Sequence, residues 1–248
     1  MSSEKRIIGF DRKVQLDWLN AMATWAAEGR TPQEIRERSD ALLAGKVAGT
    51  KFNSALGKTK TVLLHIWVTV PDGLRPLRDR GIELLGRCPE NGRFALHWGM
   101  AIATYPFFRD VAVATGRLLA VQGTVALSQV TRRLAEGWGE RSTLGRAVRR
   151  IIRCFVEWGV LRETDDRGVL IPAAKLAITD QRELGVWLLE ASLSTSGSCT
   201  AAFQQLLTDP ALFPFSLGLS PRDLKNSNLE VVRHGLDQDL VLLKKPRG

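Results

Sequence analysis

Along the first half of the chain, apolar residues recur at spacings of three and four, the period that gathers them on one face of a helix. In residues 10–29 the pattern runs Val14, Trp18, Met22, Trp25, with Gly29 as a stop, and predicts an amphipathic helix. Thr31-Pro32 opens a second, with threonine as N-cap, proline at the first helical position and Glu34 completing a capping box. This helix runs to about Ala44, where Gly45 and Gly49 loosen the chain. Residues 61–70 are rich in β-branched side chains, which also suits a strand. However, Phe52, Leu56, Leu63, Ile66/Trp67 and Val70 keep helical spacing, which favours a helix ended by Pro71-Asp72-Gly73. A short helix over about 74–86, a loop at 88–92, a helix over 94–105 and another from Pro106 to about Val121 complete a helical first unit, residues 1–122.

Gly123 marks a change of pattern. Residues 124–126 suit a brief strand, and Ser128 is placed to cap a helix over 129–136 that Gly137-Trp138-Gly139 stops. Trp138, between two glycines, is expected near the surface. The segment 141–171 is the most informative of the chain. On a helical wheel Arg146, Arg149, Arg150 and Arg153 form one stripe, while Leu144, Ala147, Val148, Ile151, Ile152, Phe155 and Val156 take the other side. No acidic residue lies between Arg141 and Arg153. Ser142 or Thr143 is placed to cap this helix, and Gly159 to end it. Residues 160–163 and 169–171 read as strands joined by the turn Asp165-Asp166-Arg167-Gly168. The order helix, strand, helix, helix, strand, strand is that of a winged helix-turn-helix, here residues 123–175. Residues 176–248 follow as a tail: a helix over about 180–191, a polar loop at 192–198, a short helix over 200–207, and a hairpin from 229–232 and 240–243. The fold expected is mainly α: an N-terminal helical bundle, a winged helix-turn-helix and a small α+β C-terminal tail.

The balance of charge sharpens this picture. The chain of 248 residues carries a net charge of +9, which favours a polyanionic partner. Residues 101–175 hold 12 Lys/Arg against 7 Asp/Glu. Arginine suits DNA because its planar fork donates in parallel to two acceptors of a phosphate or a guanine edge. The stripe therefore predicts double-stranded DNA as partner. Arg146, Arg149, Arg150 and Arg153 would lie in the major groove, Ser142, Thr143 and the free N–H groups at the helix start would hold a phosphate, and Arg141 is a further candidate contact. Arg132 and Arg133 on the preceding helix would grip the flanking strand, and Arg162 and Arg167 on the wing would touch the backbone or minor groove. A protein-assembly module and a transcriptional regulator are the alternatives. RNA is disfavoured by the lack of an aromatic sheet motif.

Catalytic chemistry finds little footing. His65, His97 and His234 stand in separate elements and form no HExxH or zinc-spaced cluster. Gly57-Lys58-Thr59 imitates the end of a phosphate-binding loop, but Phe52 stands where the first glycine belongs. No metal, cofactor or catalytic set is expected. Cys88, Cys154 and Cys199 make no CxxC pair and suit a reducing cytoplasm. No secretory signal is visible, and the apolar run 61–70 is too short for a bilayer, so no membrane association is expected.

Three segments resemble a known family. Residues 17–67 (DWLNAMATWAAEGRTPQEIRERSDALLAGKVAGTKFNSALGKTKTVLLHIW) are similar to the opening helices of the BrxA family of BREX phage-defence systems. Residues 98–113 (WGMAIATYPFFRDVAV) resemble its mid-chain tyrosine-proline-hydrophobic-arginine-aspartate signature. Residues 142–161 (STLGRAVRRIIRCFVEWGVL) resemble its Ser/Thr-capped basic helix ending in Gly-hydrophobic-Leu. The resemblance covers about 10–175, whereas 176–248 look longer than the family's tail. It implies a mainly helical, cytoplasmic, non-enzymatic DNA-binding component of an antiviral defence operon, with other proteins of that operon as partners.

Overall fold

The structure, a computed structural model, describes residues 7–140, 142–225, 227–234 and 238–244. It is mainly helical, with small sheets in its C-terminal part. Six helices come first: α1 (Leu16–Ala27), α2 (Pro32–Leu43), α3 (Ala55–Trp67), α4 (Arg75–Leu85), α5 (Glu90–Thr104) and α6 (Pro106–Gln122). The capping box at α2 is formed: Thr31 Oγ1 accepts the Glu34 amide at 3.3 Å, and Glu34 accepts the Thr31 amide at 2.7 Å. Ser54 caps α3 on the Gly57 amide. Gly123 ends α6 in the left-handed region at φ 71°, which glycine adopts without Cβ strain.

Two boundaries depart from the sequence reading. Residues 10–15 precede α1 as an extended strap. The 88–92 loop is shorter than expected because α5 starts at Glu90, with Pro89 as an extended N-cap. Gly92 is a packing glycine inside that helix: a Cβ there would stand 3.2 Å from Cys88 and 3.3 Å from Leu184.

Next come β1 (Val125–Ala126), α7 (Leu127–Trp138), α8 (Leu144–Glu157), β2 (Leu161–Glu163) and β3 (Val169–Pro172). The three strands form one antiparallel sheet in the order β1-β3-β2, with Val125 opposite Leu170 and Arg162 opposite Ile171. Ser128 does not cap α7. The helix begins one residue before it, Ala126 takes the N-cap position, and Gln129 accepts the Ala126 amide at 3.0 Å. Trp138 is buried rather than exposed. Its indole N–H donates to Asp110 at 2.8 Å and its ring meets Phe107 edge-on at 4.9 Å.

The remaining elements are β4 (Leu176–Ala177), α9 (Arg182–Leu193), β5 (Thr200–Ala202), α10 (Phe203–Leu207), β6 (Phe215–Ser216), β7 (Leu229–His234) and β8 (Gln238–Leu243). β4 and β6 pair in parallel, which the sequence pattern did not suggest. The helix expected over 200–207 splits into β5 and α10, and β5 joins the β7–β8 hairpin along β8. The turn of that hairpin, 235–237, lies outside the described residues. Ser192, read as loop, is a buried residue of α9 whose hydroxyl donates to Asp209.

One apolar core runs from Phe10 to Val241. The Trp98 ring lies at its centre, within 4.9–6.3 Å of Phe94, Phe108, Phe155, Trp158, Phe213 and Phe215. Buried indole N–H groups need an acceptor, and here each of four has one. Trp98 donates to Ala211 O, Trp158 to Val14 O, Trp187 to Leu77 O, and Trp67 to His97. Gly81 on α4 and Gly99 on α5 leave the space that the Trp187 ring of α9 fills, and a Cβ on Gly99 would clash with it. The tail is thereby wedged into the helical bundle.

Candidate nucleic-acid interface

α8 buries Leu144, Ala147, Val148, Ile151, Ile152, Cys154 and Phe155, the apolar side of the wheel. Arg146, Arg149 and Arg153 are exposed on the other side. Among the described residues none of these three is paired with a carboxylate or held by a hydrogen bond. The helix closes at Gly159, with φ 71°: the Gly159 amide donates to Val156 O at 3.0 Å and the Val160 amide to Phe155 O at 2.8 Å. These paired bonds use up carbonyls that the helix end would otherwise leave bare.

The helix start differs from the expectation. Thr143 takes the N-cap position, but with φ −85° and ψ −21° it is already helical and its hydroxyl makes no capping bond. Ser142 and Thr143 are exposed, and Arg141 lies outside the described residues.

Arg150 departs from the stripe as first read. It is half-buried, donates to the Asp11 carbonyl and stands 3.6 Å from the Asp11 carboxylate. Its cause is the strap ahead of α1. Phe10 packs against Tyr105 and Phe108 with ring centroids at 5.3 and 5.0 Å. Gly9, at φ 65°, passes so close to Tyr105 that a Cβ would lie 2.9 Å from its ring. The Val14 amide then donates to Cys154 Sγ at 3.3 Å, and Lys13 pairs with Glu157. Burial raises the Cys154 thiol to about 12, so this cysteine is a packing group rather than a nucleophile.

The strap also brings a second arginine. Arg12 donates to the Asp11 carbonyl at 3.0 Å and stands 3.4 Å from the carboxylate that Arg150 approaches. Its pKa is lowered, first by burial and then by Arg150, with Asp11 opposing. Between strap, α3 and α8 lies an open cleft of about 680 Å³, lined by Arg12, Lys58, Arg146 and Arg150, with Asp11 as its one carboxylate among the described residues. Arg12 and Lys58 were not singled out as functional. Their place beside Arg146 is a tertiary fact, and the one local signal, a glycine-lysine-threonine run, points to a different chemistry.

The other expected contacts are scattered. Arg132, Arg162 and Arg167 are exposed on α7, β2 and the β2–β3 turn. Gly168, at φ 82°, shapes that turn, and the Thr164 hydroxyl donates to Val169 O at 3.0 Å. Arg133 lines a separate recess of about 220 Å³ between α6 and α7 with Asp110, Arg117 and Glu136, an environment of mixed sign.

The histidines are not gathered. His97 is buried, accepting from Trp67 at 3.0 Å and bonding Asn20 Oδ1 through Nε2 at 2.8 Å. Burial, aided by Arg93, pushes its pKa down to about 3. Among the described residues no group of three or more His, Cys, Asp and Glu is placed to hold a metal, and no helix is long and apolar enough to cross a membrane. No family model, curated protein or solved structure matches the chain.

Proposed function

We propose that this chain binds double-stranded DNA without altering it. In this reading β1, α7, α8 and the β2–β3 hairpin act as a winged helix-turn-helix, with α8 as the helix laid in the major groove. The observation that carries it is the outer face of α8, where Arg146, Arg149 and Arg153 are exposed and, among the described residues, unpaired while the opposite face is anchored in the core. A rigid helix with three free guanidinium groups suits phosphate and guanine contacts. In this reading Arg162 and Arg167 on the hairpin would touch the backbone or minor groove, and Arg132 the flanking strand. The setting proposed, from the resemblance over residues 10–175, is phage defence alongside other proteins of a defence operon, within the cytoplasm.

Three phosphate contacts by the α8 arginines give log K falling with log salt at a slope of about −2.7. An Arg149→Ala/Arg153→Ala double variant is expected to lose about 1.8 of that slope and to keep its melting temperature. The check is fluorescence anisotropy with duplex DNA from 50 to 300 mM salt. Unchanged affinity in the double variant overturns the proposal.

A further inference from the structure

We infer that the cleft between strap, α3 and α8 seats a phosphate group, namely a backbone phosphodiester of the DNA strand running past the start of α8. This inference rests on the DNA-binding reading and assigns it a contact outside the recognition helix. Among the described residues, four cations, Arg12, Lys58, Arg146 and Arg150, face one carboxylate, Asp11. That carboxylate is shared by two guanidinium groups, at 3.4 and 3.6 Å, so neither has a counterion to itself. The Arg12 side chain is only 14% exposed and its Nε–H has no partner among the described residues. Cations held together with their mutual repulsion uncompensated gain most when an anion enters. The cations come from three separate parts of the chain, so the surplus is a product of the fold and not of one basic run. The cleft is open at the surface, as a continuous strand requires, and Arg146 belongs both to it and to the outer face of α8. A strand following α8 would pass from Arg149 and Arg153 to Arg146 and then to Lys58.

The experiment uses Lys58, which is exposed and can be changed without disturbing the core. Duplex DNA binding is followed against salt for the native protein, Lys58→Ala, Lys58→Glu and the Arg149→Ala/Arg153→Ala variant. Melting with inorganic phosphate and tripolyphosphate is followed in parallel. The expected result is a salt slope shallower by about 0.9 in Lys58→Ala, about tenfold weaker binding at 0.1 M salt, and a larger loss in Lys58→Glu. If Arg149→Ala/Arg153→Ala weakens binding while Lys58→Glu binds as the native protein does, the cleft inference falls and the recognition-helix reading stands. If DNA does not bind but tripolyphosphate raises the melting temperature through Lys58, the DNA reading falls and the cleft is a seat for a free phosphate ligand. If neither DNA nor phosphate responds, both are overturned.

Discussion

Among the described residues, two clefts of this molecule are lined by the same number of cations and differ in what balances them. The one between α4, α9 and the residues before β7, about 470 Å³, is lined by Arg80, Arg87, Arg182 and Lys225 and by Glu83, Glu183, Glu190 and Asp223. Three of its four cations are paired with three of its carboxylates. Arg80 pairs with the buried Glu190, Arg87 with Glu183 at 3.6 Å, and Arg182 with Asp223 at 3.3 Å. Among the described residues, the cleft at the start of α8 sets four cations against Asp11. Charge by itself is therefore a poor guide to a binding surface here. What marks the α8 region is charge that the chain leaves unmatched, and the outer face of α8 extends it.

The comparison can be broken by removing one partner on each side. Arg80→Ala strands the Glu190 carboxylate, whose side chain is 8% exposed, and is expected to cost about 3 kcal/mol. Thermal melting should register this as a fall of roughly 6–12 °C, with DNA affinity unchanged. A loss of under 1 kcal/mol would mean that the pair is no better used than the cations of the α8 cleft.

The interior offers a second, smaller test, because burial rather than pairing keeps His97 uncharged. Its folded pKa of about 3 lies below the ordinary 6.5, so the unfolded chain binds the extra proton between those values. Stability from this source is complete above pH 6.5 and drains away as pH falls towards 3. At pH 5 the loss amounts to about 2 kcal/mol. Urea unfolding at pH 7 and pH 5 measures it, and His97→Gln, which can accept from Trp67 and donate to Asn20, should flatten that dependence. The smallest effect belongs to the unmatched side: Arg153→Ala and Lys58→Ala should each change stability by less than about 0.5 kcal/mol. A larger loss would show that these cations serve the fold.

Local signals carried much of the helical architecture. α2 was marked by Thr31-Pro32 and Glu34, the end of α6 by Gly123, and the end of α8 by Gly159, because caps act within a few residues. The apolar face of α8 was legible for the same reason. Long-range contacts were not. Nothing near Arg150 reveals that Asp11, 139 positions away, holds it. Trp138 stands between glycines, the pattern of an exposed turn, yet Asp110 on α6 supplies the acceptor that lets it be buried. Ser128 had the right chemistry for a cap, but β1 carries the chain straight into α7 and leaves that role to Ala126 and Gln129. The parallel β4–β6 pair joins segments 39 positions apart, from Leu176 to Phe215, and no period announces it.

The strap also bears on the order in which the molecule assembles. Its residues are made before the helices that follow it, and Cys154 and Trp158, which receive the Val14 amide and donate to the Val14 carbonyl, come about 140 residues later. Phe10 of the strap packs on Tyr105 and Phe108, but the bonds of Val14 join it to the much later α8 segment. The unmatched cations of Arg12 and Arg150 are thus brought together only when the two ends of this long loop close, a step whose entropy cost grows with the length of chain between them. The basic cleft is therefore a long-range feature, present only where the strap and α8 are both packed on the common core.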